Sequence, residues 1–295
     1  MFANQSQVAS GARTAVGVQA PFEMVRSQGT ILATKRKGAG QLVICLHATG
    51  QGGRDFEEFT NAIVPMGYEV ICIDWPGHGA SPADASGIPA NVDRYTALLE
   101  DVLNELCGTR RMVLLGNSIG GAVALTYALR HPSKLHALVL CNPSGLAPLD
   151  FLAKAVISTM VAFFNHGARR SWWFTAAYGV YYRMVLPERA AKEQRARIIA
   201  AGCSVAPVLV QAWDSFRHSA ADLREAAKQL KVPVMFAWAK HDRIVAYRRS
   251  KQAIDAIVGA EVQMFSGGHS PFLEDPKAFN DAFVEFTQRF KPDQL

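Results

Sequence analysis

The sequence is poor in cysteine, has no long apolar run and has no segment in which charged residues of one sign cluster. Its five cysteines include no C-x-x-C pair, and Cys45, Cys72 and Cys141 each lie in a short apolar run typical of a buried strand. We therefore expect buried, reduced thiols and a reducing compartment. The longest apolar run, residues 155–164, falls short of the roughly 18 residues that a membrane-spanning helix needs. No membrane span is expected.

The chain also has no large excess of charge of one sign. Lysine and arginine number 31 against 25 aspartates and glutamates, a net charge of +6, and the basic residues are scattered along the chain. Nucleic-acid binders usually gather such residues on one stripe, so we expect a mildly basic surface and no nucleic-acid partner. A weak preference for anionic substrates is the alternative. Residues 1–19 lack the apolar stretch of a signal peptide, which predicts a cytoplasmic protein.

Two cofactor signatures are missing as well. The sequence has no glycine-rich dinucleotide fingerprint and no histidine–cysteine cluster with the spacing of metal ligands. We therefore expect neither an organic cofactor nor a metal ion.

What the chain does have is apolar content and a regular alternation. Hydrophobic residues make up 49% of it, enough for a sizeable core. After a hairpin predicted over 23–27 and 30–37, apolar runs occur at 42–46, 70–73, 112–115, 137–141, 234–238 and 262–265, and segments of helical spacing occur at 56–64, 92–106, 119–130, 247–258 and 276–290. Strands this short and continuously apolar are typical of sheets buried on both faces. The pattern predicts an α/β fold, a mostly parallel sheet flanked by helices on both faces.

The alternation breaks once, between about 148 and 225. This stretch shows no clear strand and is rich in aromatic residues at helical spacing. We expect a helical insertion over 148–225 that divides a core formed by 1–147 and 226–295. Its aromatic side chains either bind an apolar or aromatic substrate or pack the insertion onto the core. Arg169, Arg170 or Arg183 could bind a substrate carboxylate, but a solvated surface is the favoured interpretation.

One serine lies in a distinctive setting. The predicted strand 112–115 is followed by Gly-Asn-Ser-Ile-Gly-Gly and then by a predicted helix. A chain that turns this quickly from strand to helix makes a tight corner, with Ser118 at its apex and its hydroxyl directed to solvent. The following N–H lies at a helix N-terminus, where developing negative charge is favoured. Ser118 is the predicted nucleophile, and a helix-capping serine in a glycine-rich turn is the alternative.

A serine nucleophile needs a base, and the base needs an orienting acid. Among eight histidines, His269 lies in a Gly/Pro-marked loop just after the last predicted strand, at the same sheet edge as Ser118. Asp242 follows the strand 234–238, whereas the loop after 137–141 has no carboxylate before Asp150. The chain order serine, aspartate, histidine accompanies this type of turn. We predict Ser118, Asp242 and His269 as a catalytic triad.

Acyl transfer also needs two N–H donors for its oxyanion. One is predicted to be the backbone N–H of Ile119, directly after the nucleophile. The other should come from the small-residue loop after the strand 42–46. We choose Thr49, with Ala48 as the alternative.

Together these residues resemble the α/β-hydrolase superfamily over most of the chain outside the insertion. Asp74-Trp-Pro-Gly-His-Gly-Ala-Ser81 resembles its D-x-x-G-x-G-x-S segment, which is normally structural. The loop after 42–46 resembles its H-G-x-G oxyanion loop, with Ala48 in place of the usual first glycine. Gly268-His269 resembles its histidine loop. The resemblance implies that 148–225 is a helical cap.

Within that superfamily, residues 115–121 and 142–146 look similar to the carbon–carbon-bond hydrolases of aromatic meta-cleavage pathways. In those enzymes an asparagine precedes the nucleophile, as Asn117 does here, and we expect Asn117 and Ala48 to contact the substrate. The same enzymes tend to have a tryptophan after the histidine, where this chain has Ser270.

The predicted function is that of a serine hydrolase. Its substrate would be a small apolar or aromatic carboxylic ester or a related acyl compound, cleaved through an acyl-enzyme on Ser118. Three alternatives stay open. They are a carbon–carbon hydrolase acting on a dienol ketone, a cofactor-free perhydrolase, and a slow-turnover ligand receptor that keeps the triad.

Overall fold

An eight-stranded sheet forms the centre of the molecule in the computed structural model, which describes residues 22–290. The strands are β1 (Glu23–Ser27), β2 (Thr30–Gly38), β3 (Gln41–Leu46), β4 (Tyr68–Ile73), β5 (Met112–Asn117), β6 (Leu135–Cys141), β7 (Val234–Ala239) and β8 (Glu261–Phe265). Their order across the sheet is β1-β2-β4-β3-β5-β6-β7-β8. The strands β1 and β2 are antiparallel to their neighbours, and the other six run parallel. Residues 1–19, on which the cytoplasmic prediction rests, lie outside the described part of the chain.

Helices cover both faces of this sheet. They are α1 (Glu57–Ile63), α2 (Val92–Cys107), α3 (Ile119–Arg130), α4 (Phe151–Ala168), α5 (Phe174–Val185), α6 (Lys192–Ser215), α7 (Arg224–Ala227), α8 (Tyr247–Asp255), α9 (Pro271–Glu274) and α10 (Pro276–Gln288). Alternate residues of β3 enter opposite cores, Ile44 packing with α2 and α3 and Val43 with α1 and α10. Because successive side chains of a strand point to opposite faces, a continuously apolar strand can serve both cores. The predicted fold class is confirmed.

All eight predicted strands are present, each within two residues of its predicted ends. The predicted helices outside the insertion are present with ends within two residues of those predicted, except that α8 ends at Asp255 rather than at residue 258. The chain leaves the helix in the turns of residues 256–259, the last of which, Gly259, has a φ of +74° outside the helical region. The five cysteines are free thiols, and the three in predicted strands are buried.

Helices α4, α5 and α6 lie between β6 and β7, and the segment 148–225 that contains them is called the helical insertion below. They pack mainly on one another through buried aromatic side chains, among them Phe164, Phe174 and Tyr178. Other aromatic side chains of the insertion face solvent, and Trp172 is 94% exposed and Phe151 89% exposed. Helices α4 and α6 are long and apolar enough to cross a membrane by length and composition alone, a weak signal that core helices of soluble proteins also give.

Because the central strands are parallel, the loops that follow β3, β5, β6, β7 and β8 open at one edge of the sheet. The loop after β3 is the predicted oxyanion loop, and the other loops carry Ser118, Asp242 and His269. The topology therefore brings every predicted site residue to the same edge. Ligands of open parallel sheets bind at this edge.

Candidate active site

Ser118 lies at a strained turn between β5 and α3. Its φ of +55° and ψ of −115° place a non-glycine residue in a region that L side chains rarely adopt. The neighbouring glycines are required by space, because a Cβ on Gly120 would lie 2.4 Å from the carbonyl oxygen of Leu46. Such strain persists only where the surroundings impose it, and it clusters at functional sites. The sequence pattern therefore predicted this turn correctly, although the Ser118 side chain is buried against a cavity rather than open to bulk solvent.

Asp242 and His269 form a buried pair. His269 Nδ1 lies 2.9 Å from Asp242 Oδ2, and both side chains are almost fully shielded from solvent. Asp242 Oδ1 accepts hydrogen bonds from the backbone N–H groups of Ile244 at 2.7 Å and Val245 at 2.9 Å. These bonds fix the carboxylate, which in turn fixes the ring of His269 with Nε2 free to face the cavity.

The electrostatics of this pair favour a basic imidazole. Burial alone would lower the pKa of His269, but the charge of Asp242 and its hydrogen bond outweigh burial, and Glu274 adds to them. The pKa of His269 is therefore raised above its usual value. A general base with such a pKa takes up a proton readily near neutral pH.

The histidine loop is held by Glu274, a residue that the sequence reasoning missed. Its Oε2 accepts hydrogen bonds from the backbone N–H groups of Gly268, His269 and Ser270 at 2.8, 2.9 and 3.1 Å. A buried carboxylate that receives three N–H groups fixes the backbone that carries the imidazole. The only sequence signal was a carboxylate within one short helix of the histidine, in the segment that resembles the family's histidine loop.

Two buried histidines support the loop after β3. His47 Nε2 accepts from Trp75 N–H at 2.9 Å, and His78 Nε2 accepts from Gly50 N–H at 2.9 Å. Their Nδ1 atoms face backbone carbonyls at 2.7 and 3.1 Å, so each ring carries its proton on Nδ1. Burial lowers their pKa values to about 4 and about 3, respectively. Both rings are neutral near pH 7 and act as acceptors that position the loop.

The predicted oxyanion donors occupy suitable places. Ala48 and Thr49 line the same cavity as Ser118, while Gly50 donates its N–H to His78 and is engaged. Ile119 is the first residue of α3, where the helix offers its N–H no acceptor. Which of these groups binds an oxyanion stays a prediction.

Asn117 uses its amide inside the protein. Its Nδ2 donates to the carbonyl oxygens of Cys141 and His269, both at 3.0 Å, and its Oδ1 accepts from Ser270 Oγ at 3.0 Å. Gln51 Nε2 continues the chain to Ser270 Oγ at 3.1 Å. The amide thus ties β5 to the histidine loop, and its predicted contact with substrate stays a prediction.

The loop after β6 contacts two members of the predicted triad. Asn142 Nδ2 donates to Asp242 Oδ2 at 2.5 Å, and Ser144 Oγ lies 3.4 Å from Ser118 Oγ. The side chains of Ser118 and His269 face one cavity but are not hydrogen-bonded to each other in this structure. Sequence reasoning used this loop to exclude a carboxylate and for the resemblance to carbon–carbon-bond hydrolases, and it assigned neither Asn142 nor Ser144 a role.

A cavity of about 350 Å³ separates these residues from the helical insertion. Ala48, Thr49, Ser118, Ser144 and His269 lie at its polar end. Apolar and aromatic side chains form the opposite wall and include Val156, Ile157, Phe164, Tyr181, Tyr182, Leu209, Trp213 and Phe216. A largely apolar pocket with a few converging polar groups is typical of small-molecule sites.

Arginines also line this cavity, but not the three considered from the sequence. Arg243, Arg248 and Arg249 contribute to the lining, whereas Arg169, Arg170 and Arg183 do not. Arg249 is paired with Asp150 at 2.7 Å. Arg243 and Arg248 are exposed and make no ion pair with any residue between 22 and 290. Over the same range, no group of three His, Cys, Asp or Glu side chains could hold a metal ion.

Comparisons with known proteins agree with this fold. Residues 38–275 match the model of the family Hydrolase_4, described as serine aminopeptidase, S33. A 2-hydroxy-6-oxononadienedioate/2-hydroxy-6-oxononatrienedioate hydrolase from Cupriavidus pinatubonensis is 26% identical over 260 residues, which cover 84% of this chain and 88% of that protein. A 2-hydroxy-6-oxo-6-phenylhexa-2,4-dienoate hydrolase from Comamonas testosteroni is 25% identical over 258 residues, covering 85% and 89%. The solved structure of an esterase from Exiguobacterium antarcticum superposes with a TM-score of 0.78 at 20% identity, covering 90% of this chain and 98% of that one.

Proposed function

Because this chain belongs to the serine aminopeptidase S33 family of α/β-hydrolases, and so to a superfamily of hydrolases, we propose that it hydrolyses a carboxylic ester through an acyl-enzyme on Ser118. One observation carries the proposal. Ser118, at a strained turn, faces the same cavity as His269, which is paired with the buried Asp242. This arrangement has the parts that nucleophilic catalysis by serine requires.

The proposed reaction begins when the Ser118 hydroxyl rotates from Ser144 towards His269. His269 Nε2 takes the hydroxyl proton while Oγ attacks the ester carbonyl carbon. Asp242 stabilises the resulting imidazolium without taking its proton. Collapse of the tetrahedral intermediate expels the alcohol, which receives the proton from His269. Water then attacks the acyl-enzyme by the same route, and the carboxylic acid leaves with Ser118 restored.

The oxyanion of the tetrahedral intermediate needs donors already in place. We assign this role to the N–H groups of Ile119 and Thr49, with Ala48 as the alternative to Thr49. The N-terminal end of α3 adds its positive partial charge at the same point. The buried histidines His47 and His78 hold the second donor's loop in position.

The helical insertion would select the substrate as a cap over the site. Its apolar wall favours an apolar or aromatic acyl group. Arg243 and Arg248 would favour a substrate that also carries an acidic group, since neither has a carboxylate partner among the described residues.

The test is hydrolysis of a p-nitrophenyl ester series of increasing acyl length. Ser118→Ala is compared with the wild type and with Ser204→Ala, which removes an exposed hydroxyl of α6 away from the cavity. We expect sustained turnover by the wild type and Ser204→Ala, and a loss on the order of 10⁴-fold or more in Ser118→Ala. Equal rates for the wild type and Ser118→Ala would refute the assignment of the nucleophile.

A second candidate is hydrolysis of a carbon–carbon bond in a dienol ketone. The names of the curated relatives favour it, as does the placement of Arg243 and Arg248, because those names describe acids. Both reactions would begin at a ketone or ester carbonyl beside Ser118. Bleaching of a yellow dienol ketone by an enzyme that turns over no ester would replace the first proposal by the second.

A further inference from the structure

The loop that follows β6 supplies no reacting group in the proposed reaction, yet it contacts the predicted triad directly. Asn142 is fully buried and has a φ of +44°. Its Oδ1 accepts the N–H of Ala239 at 3.2 Å, and its own N–H donates to the carbonyl oxygen of Ala237 at 3.2 Å. These bonds attach Asn142 to β7, the strand that ends just before Asp242.

The other end of the loop is attached to the serine turn. Ser144 donates its N–H to the carbonyl oxygen of Ser118 at 3.1 Å, and Pro143 packs against Gly121, where a Cβ would come within 2.8 Å of the proline ring. A loop fixed at both ends cannot swing its amide away. The position of Asn142 Nδ2 is therefore set by the same contacts that build the active-site turn.

The Asp242 carboxylate is fully occupied by donors. Oδ1 takes two backbone N–H groups, from Ile244 and Val245, and Oδ2 takes His269 Nδ1 at 2.9 Å and Asn142 Nδ2 at 2.5 Å. The amide and the imidazole thus share one oxygen, both bonded to it at the same time. A hydrogen bond donated to a carboxylate withdraws charge from it, so the amide weakens the hold of Asp242 on a protonated His269.

We propose that Asn142 is a positioning residue that limits the basicity of His269 by sharing the Asp242 oxygen on which the imidazole depends. The inference rests on the proposed function, since it takes His269 as the base. Its consequence is that the base releases its proton to the leaving group more readily than an imidazole whose carboxylate had no second donor. Other titratable groups near this pair are Glu274, which faces His269, and Tyr181, which faces Asp242 and whose pKa burial raises. The cations Arg243, Arg248 and Arg249 line the same cavity as His269.

Two substitutions distinguish the effect of the Asn142 side-chain amide from that of the backbone at residue 142. Asn142→Gly deletes the donor and tolerates the positive φ, and Asn142→Asp keeps the size and replaces the donor with a carboxyl group. We expect the pKa of His269 to rise by about one pH unit in Asn142→Gly. In Asn142→Asp the new carboxyl group would face the Asp242 oxygen at hydrogen-bond distance and keep a proton there, so a donor to Asp242 remains and the pKa of His269 should stay nearer that of the wild type.

The experiment is an NMR titration of the ¹³C-labelled histidine rings, with the His269 signal assigned by its loss in His269→Gln. The titration needs no substrate, so it measures the effect of the Asn142 amide on the pKa of His269 even if no ester is hydrolysed. Where ester turnover is present, the acid limb of kcat/KM should move to higher pH in step with the NMR titration, with little change in KM.

A pKa of His269 that rises in Asn142→Gly and stays nearer the wild-type value in Asn142→Asp would support the proposal. A pKa in Asn142→Gly that equals or falls below that of the wild type would overturn it, because the amide would then be structural only. Thermal melting of each variant checks that it folds. Failure of the proposed function would show separately, as absent ester turnover in a wild type whose His269 titrates as expected.

Discussion

Glu274 offers the sharpest test of how the histidine loop is held. In Glu274→Ala the backbone N–H groups of Gly268, His269 and Ser270 lose their shared acceptor inside the protein. Each buried N–H left without a partner costs at least about 1 kcal/mol, so three together cost about 3 kcal/mol. For a domain of this size that free energy corresponds to a fall in Tm of roughly 6–12 °C. Because the same loop carries the imidazole, we also expect kcat to fall by about 10–100-fold.

The measurement is thermal unfolding followed by circular dichroism, together with kcat on the best ester. Glu274→Gln keeps an acceptor oxygen and should lose less than half as much stability. Glu285→Ala removes an exposed carboxylate of α10 and should melt like the wild type. A Glu274→Ala variant with the Tm and kcat of the wild type would show that the three N–H groups find other partners, and the reasoning would be refuted.

Three further predictions concern pH and charge. Because the pKa of His269 is raised, kcat/KM should rise with pH through a midpoint above about 6.5, and a pH–rate profile with a lower midpoint would contradict this. Since burial lowers the pKa values of His47 and His78 to about 4 and about 3, the unfolded chain takes up protons first, and the free energy of unfolding should fall as pH drops from about 6.5 towards those values. Urea unfolding at several pH values checks it, and His78→Leu should flatten the slope. Neutralising Arg243 and Arg248 to glutamine should lower kcat/KM about ten-fold for mono-p-nitrophenyl glutarate relative to p-nitrophenyl valerate, and an unchanged ratio in steady-state assays would contradict it.

The core of the fold could be predicted because its signals are local. Strands such as β3 and β7 are continuously apolar, and the glycines around Ser118 mark a turn whose space and dihedral angles admit little else. The end of α8 was harder. Its residues continue in helical spacing to 258, but the chain leaves the helix after Asp255 in the turns of residues 256–259, which helical spacing alone does not reveal.

The supporting contacts of the site could not be predicted, because they join residues that are distant in sequence. Asn142 meets Asp242 one hundred positions later, and Asn117 meets the backbone of His269 across 152 positions. Nothing in the amino-acid sequence itself shows that the loop after β6 lies between Ser118 and Asp242. That placement follows from β6 lying between β5 and β7 in the sheet.

The adjacency of β6 and β7 has a wider consequence. The chain leaves the sheet at the end of β6 and returns in the strand hydrogen-bonded to it, so everything between enters and exits at one place. Such a segment can lengthen, shorten or be exchanged without altering the register of any strand. Selection can therefore reshape what the molecule accepts while the groups on the sheet edge keep their geometry, and a protein engineer could graft a foreign helical segment at the same two ends.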